Sequence, residues 1–379
     1  MATKYYYADA SGDNDGSSEA NAYENLDNAM ESISAGDILY LKKSGSRVAI
    51  ASGENTFNMA TQSDTATTIV EGYGTTPGDG ISWQGGGNQY GITINQGGNV
   101  VFKNIDYETS SASWSWSNNN AIDHAYYYNC RFVNTNTADG CEALNVRFNS
   151  HYINCYFEAS QTATDGGAVL VTANDGASFY GCVFRGNRGI YALGSGYNSP
   201  LVVRNCIFTH GSVEDMEIGM DMDLLNSTNE VIIFDVSECT FYGFGTDAIA
   251  IREMESSTTH QYSIMTIQNN IFYGTSATNA INIEDADDTT GIFMVGNAYG
   301  GVTNQINGEG TNVPNLNATT LGYDPFKGGA AMDFRLAGST SGVACKRTAY
   351  PTTYQGVTGN AERSLGALQI PQQETISIF

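Results

Sequence analysis

From residue 99 onward, short apolar runs and polar turns alternate along this chain at a nearly constant interval. Each unit opens with a β-rich run, as in Asn99-Val-Val-Phe102, Ala125-Tyr-Tyr-Tyr128, Leu201-Val-Val203 or Ile264-Met-Thr-Ile267. A turn residue follows, then a small residue, and two positions later an aromatic: Asn129-Cys130-Arg-Phe132, Asn154-Cys155-Tyr-Phe157, Gly181-Cys182-Val-Phe184, Asn205-Cys206-Ile-Phe208. The turn residues stand at 104, 129, 154, 181, 205, 238, 269 and 296, in steps of 25, 25, 27, 24, 33, 31 and 27 residues. After a variable polar stretch comes a second strand, such as Ala143-Leu-Asn-Val146, Ala168-Val-Leu-Val171 or Ala280-Ile-Asn-Ile283. Period-2 alternation rich in β-branched and aromatic residues predicts strand, and no long window carries helical periodicity here. A repeat of this length marks a solenoid, whose units bury their apolar faces only by stacking. Three short strands per unit predict an all-β, right-handed parallel β-helix of about ten coils.

The turn phrase has a physical logic. A sharp bend between two strands needs a left-handed backbone, which Asn and Gly adopt at least cost. Stacked at about 4.8 Å, Asn129, Asn154 and Asn205 should form a ladder. Cys130, Cys155, Cys182, Cys206 and Cys239 should point inward as small apolar residues, with Asn270 at the equivalent place. Coil spacing exceeds the roughly 3.5 to 4.5 Å between Cβ atoms that a disulfide prefers, so these read as buried free thiols. Glu238 interrupts the Asn/Gly pattern without an evident reason in the sequence, and Cys141 and Cys345 fall outside the column.

Both ends look closed. Leu26, Ala29, Met30 and Ile33 form one apolar stripe on a helix expected over 25–33, suited to covering the open core. The chain divides into a capping segment (1–45), coils (46–320) and a closing segment with a tail arm (321–379), together one continuous solenoid domain. Tyr6-Tyr7-Ala-Asp9, Ala35-Gly36-Asp37-Ile-Leu-Tyr-Leu41, Thr68-Ile-Val-Glu-Gly72, Asp324-Pro325-Phe326 and Asp333-Phe334-Arg335-Leu336 resemble the opening and closing segments of pectate-lyase-like right-handed β-helix proteins. The resemblance implies the fold, which hosts lyases, hydrolases, adhesins and phage spikes, and does not choose among them.

Charge narrows the partners. A net −24 with 16 basic residues argues against nucleic acid and against an anionic membrane surface. There is no apolar run of 18 residues to insert in a membrane, and Met1 to Tyr7 is no signal peptide, so folding in a cytosol is expected unless a leader was removed.

Chemistry is harder to place. The family's lyases generally use a Lys or Arg base. The six lysines, Lys4, Lys42, Lys43, Lys103, Lys327 and Lys346, all avoid 104–326, leaving Arg185, Arg188, Arg204 and Arg252 as central candidates. Of the motifs of the family's polygalacturonase-type hydrolases only Asp287-Asp288 is present. A glycosidase needs two carboxylates about 5 to 9.5 Å apart. The long steps of 33 and 31 residues imply insertions over 211–229 and 253–261, bringing Glu214, Asp215, Glu217, Asp221, Asp223, Glu253 and Glu255 toward a groove lined by Asp247 and Glu284. The catalytic candidates are Glu214, Asp215, Glu217, Asp247, Glu253 and Glu255. No metal site is assigned and no cofactor is expected. Calcium is the one ion that the acidic loops admit, although Ser11–Gly16 is only half an EF-hand loop. Trp114, Trp116, Tyr127 and Arg252 are candidates for contact with a glycan or another subunit.

Three functions follow. The first is a bacteriophage virion protein, a spike, fibre or decoration subunit folded in the host cytoplasm, exposed on capsid or tail, trimeric, and able to bind glycans. The second is a polysaccharide-degrading enzyme, and the third a bacterial surface adhesin outside the cell.

Overall fold

The computed structural model describes residues 1–44, 56–59, 65–80, 83–86, 92–95, 98–112, 114–119, 124–138, 140–147, 149–161, 166–172, 176–193, 200–211, 215–223, 231–252, 262–284, 292–308, 313–329 and 333–336. The β-rich runs stack as one parallel sheet of twelve strands in sequence order, here the back sheet. It begins with Thr3–Tyr6 and Ile38–Lys42 and ends with Ile292–Val295 and Asn315–Leu316. The stubs after the turns and the second strands form a further parallel array of eighteen. The coil count differs slightly from the ten expected from the repeat, since the back sheet stacks twelve strands with one from each coil. In the later coils stub and second strand fuse, as in the continuous Ile271–Ile283 and Ala298–Gly308.

Register explains the core. Phe102, Tyr127, Tyr152 and Phe179 occupy equivalent back-sheet positions. Their rings stack with centroids 4.8 to 4.9 Å apart, the spacing of the strands themselves. The aromatics of the turn phrase make a second stack, Phe184, Phe208 and Phe241, at 4.6 and 4.5 Å. At the corner opening each second strand a small residue is required: a Cβ on Gly219 would meet Phe241 at 2.6 Å and the Ala248 carbonyl at 2.5 Å.

The turn column is as expected. Asn104, Asn129, Asn154, Asn205 and Asn269 have φ of 53 to 55°, with Gly181 and Gly296 in the same region. Asn129 Nδ2 donates to Asn104 Oδ1 at 3.5 Å. Glu238 adopts φ 57° too, so register overrides its side chain's preference. Asn317, at φ 55°, adds a further rung that the repeat phrase did not reveal, because no aromatic follows it.

Inside, Cys130, Cys155, Cys182, Cys206 and Cys239 are buried, free and equivalent. Each thiol donates to a carbonyl one coil back, for example Cys182 to Tyr152 O at 3.4 Å and Cys239 to Val203 O at 3.4 Å. Burial pushes the thiols of Cys130, Cys182 and Cys206 well up. The column then changes chemistry. Asn270 and Asn297 take the sulfur position, both wholly buried. Asn270 Oδ1 accepts from Cys239 N at 2.8 Å, and its Nδ2 donates to Val236 O at 3.0 Å. Asn297 repeats both contacts with Asn270 N and Ile267 O.

At the N-terminus the helix is Leu26–Ser32, with Asn25 as its cap accepting from Asp27 N and Asn28 N. Leu26, Ala29, Met30 and Ile33 are buried in the main core, as the stripe predicts. At the other end Phe326–Gly328 pairs antiparallel with Asp333–Leu336. Phe326 and Phe334 pack edge-on against Tyr242 at 5.7 and 5.5 Å.

Candidate functional site: the outer face of the second-strand row

The second strands run in register as Trp114–Asn119, Glu142–Val146, Val169–Val171, Arg188–Leu193, Ile218–Asp223 and Asp247–Arg252, then the ends of the fused strands. Inner positions of this row hold Leu144, Val169, Ile190, Met220, Ile249 and Ile281, each with no exposure. The alternate positions, such as Tyr191, Asp221 and Asn282, face outward, and the chemistry collects there and at the corner residues that open the strands, such as Arg188, Asp247 and Asn279.

One correction concerns the expected insertion over 211–229. Residues 218–223 form a regular strand paired on both sides, because Gly-Met-Asp-Met continues the small-apolar-polar-apolar pattern of its neighbours. Asp221 therefore lies on a strand and not on a projecting loop. Arg188 Nη2 is 2.9 Å from Asp221 Oδ2, and Arg252 Nε is 2.9 Å from Oδ1. Asp221 is 2% exposed and Arg188 6%. The Arg188 guanidinium lies 4.3 Å over the half-buried ring of Tyr191.

Asp247 stands one coil further, 2% exposed. Asn279 Nδ2 donates to its Oδ1 at 2.8 Å and Asn282 Nδ2 to its Oδ2 at 3.3 Å. Burial raises the Asp247 carboxyl above its ordinary value, against the pull of these amides and of Arg252. Asn282 also donates to Glu284 Oε1 at 3.2 Å. The amides continue upward: Asn304 Nδ2 to Asn279 Oδ1 at 2.9 Å and Asn307 Nδ2 to Asn282 Oδ1 at 3.0 Å. Two parallel files of planar amides thus extend from the carboxylates.

Of the predicted catalytic residues, Glu217 adjoins this cluster. Its carbonyl accepts from Asp247 N, and its Oε1 accepts from Thr246 Oγ1 at 3.3 Å. Asp215 is exposed. Glu214, Glu253 and Glu255 lie outside the described residues. Arg185 is elsewhere, donating to His210 O and Tyr156 Oη, and Arg204 lies on the back sheet beside Asp235.

Two contact candidates are overturned. Tyr127 has no exposure and Trp116 only 2%. The register that places Tyr127 between Phe102 and Tyr152 turns it inward, leaving Tyr126 and Tyr128 to face out. Trp116 packs inside against Phe132, its Nε1 donating to Tyr127 Oη at 3.3 Å. Trp114 is half-buried on the outer face, with the Arg147 guanidinium 5.3 Å over its ring. Arg252 keeps its place in the site.

Sequence reading missed Glu142, the register neighbour of Trp114. Burial pushes its carboxyl up to about 7. It also missed the amide files, although the repeated Asn279-Ala-Ile-Asn282 and Asn304-Gln-Ile-Asn307 are visible as a pattern. Among the described residues no three His, Cys, Asp or Glu side chains gather as a metal cage would.

No protein-family model and no curated protein matches the sequence. The structure is similar to the crystal structure of pectate lyase Pel9A, with a TM-score of 0.64 over 97% of both chains at 15% identity. At that identity the likeness speaks for the fold alone, which is the pectate-lyase-like right-handed parallel β-helix.

Proposed function

We propose that this protein is a polysaccharide-engaging β-helix, with the outer face of the second-strand row as its glycan surface. The observation that carries this reading is a row of partly exposed planar groups there, Asn304, Asn307, Arg252 and Tyr191, with Glu284 beside them and Trp114 further down the same row. The buried Asn279, Asn282, Asp247 and Asp221 lie beneath them and fix their positions. Amides and carboxylates present paired donors and acceptors to vicinal hydroxyls, while aromatic faces suit the apolar faces of sugar rings. A chain at −24 repels polyuronates, so a neutral glycan fits better than an acidic one.

The same reading places the protein on a phage particle as a spike or decoration subunit. In its support, the five buried free thiols of the column suit assembly in a reducing cytoplasm. Glycan cleavage is the second reading. It is favoured by Asp247, a carboxyl that burial holds toward the protonated form a general acid needs.

Calorimetry against a panel of neutral bacterial and algal polysaccharides tests the first reading. At least one should bind, and Tyr191→Ala with Asn307→Ala should weaken it about tenfold or more. Appearance of new reducing ends would establish cleavage, and absence of binding across the panel would overturn the glycan reading.

A further inference from the structure

The face on the opposite side of the molecule has different chemistry. The back sheet turns outward large apolar side chains that nothing in the chain's described part covers: Ile264 is 47% exposed, Phe293 59% and Leu316 60%, with Tyr180 at 38% lower down. Phe293 pairs in register with Thr266, and Leu316 with Val295, so these side chains share one surface. We propose that the protein self-associates through this outer face of the back sheet, the partner being a second copy of the same chain.

Charge supports the identity of the partner. Along the two central outward files, from Ile38 and Tyr40 to Phe293 and Val295, the acids are Glu71 and Asp235 and the bases Lys103 and Arg204. Glu71 and Lys103 are register neighbours, and Arg204 Nε donates to Asp235 Oδ2 at 2.9 Å. The four cancel, so the excess of acids lies on other surfaces. Burial and neighbouring His124 hold His151 below the ordinary histidine value, so it adds no charge at neutral pH. For a molecule at −24, this is the surface on which two copies meet with least repulsion.

Shape and area agree. Twelve strands about 4.8 Å apart, each presenting about four residues, give a face on the order of 700 Å². A standard stable interface buries about 800 Å² per partner. One border of the face is the turn column, where each bend is a single left-handed residue, so no loop rises over it from that side. A face that meets its own copy pairs about a two-fold axis, which makes a dimer where the sequence suggests a trimer.

Sedimentation equilibrium on the full chain, without sugar, from about 1 to 100 µM decides it. A monomer–dimer equilibrium is expected, tighter at about 0.5 M than at 0.05 M salt as repulsion is screened. Ile264→Asp with Phe293→Asp should weaken it about 100-fold or more, with an unchanged circular dichroism spectrum. Phe293→Ser alone, a milder change at an exposed site, should weaken it about tenfold and serves if the double variant misfolds. A wild type that stays monomeric throughout, or an oligomer that both variants leave intact, overturns the proposal. The inference does not rest on the glycan reading, and each can fail without the other.

Discussion

The two outward faces of this solenoid are built by the same chain at the same coil spacing, yet they handle charge in opposite ways. On the back sheet the ions stand partly in water, as with Arg204, whose side chain is 50% exposed beside Asp235 at 16%. On the second-strand row they are under cover, as with Asp221 at 2% between Arg188 and Arg252. The difference lies in what borders each face. A one-residue turn flanks the back sheet, whereas the second-strand row lies between the variable stretches of each repeat. Desolvation therefore acts more strongly on the second-strand row, and the same ion-pair chemistry becomes marginal on one side and structurally demanding on the other.

The largest break in that contrast should come from Asp221→Ala. It leaves two guanidinium groups facing each other without their carboxylate, at a cost of about 3 to 5 kcal/mol in urea unfolding. Next is the pH dependence of Glu142. Its folded-state value of about 7 lies above the ordinary 4.5, so the native protein holds a proton that the unfolded chain releases between those limits. Stability should fall as pH rises through that window, by up to about 3 kcal/mol, and Glu142→Gln should flatten the profile. Asn282→Ala should cost about 1 to 2 kcal/mol, since Asp247 and Glu284 each lose an amide donor. Smallest of all, Arg204→Ala on the back sheet should change the midpoint by less than about 1 kcal/mol. An Arg204 effect as large as that of Asp221 would erase the distinction between the faces.

Much of the architecture was legible in the residues. Asn and Gly at 104, 129, 154, 181, 205, 269 and 296 mark the left-handed bends, and the five cysteines one position on mark the column inside. The helix stripe Leu26, Ala29, Met30 and Ile33 is equally direct, because periodicity reports which side of an element meets the core. The expected groove was only partly legible. Asp247, Glu284, Arg252 and Glu217 do gather, but Asp221 lies on a strand, because a long step shows that residues are added without showing where. The inward face of Tyr127 is not legible, since a run of three tyrosines does not reveal which one faces in until its partner strands set the register.

Local preference and repeat period by themselves determined that this chain winds into stacked strands, where it bends, and which small and aromatic residues fill the interior. They act over a few residues and recur, so they can be read in one dimension. Which carboxylate lies beside which guanidinium, and which face is dry, only the tertiary structure decided. Those facts depend on residues 25 to 35 positions apart meeting across coils, and on the burial that follows once they do.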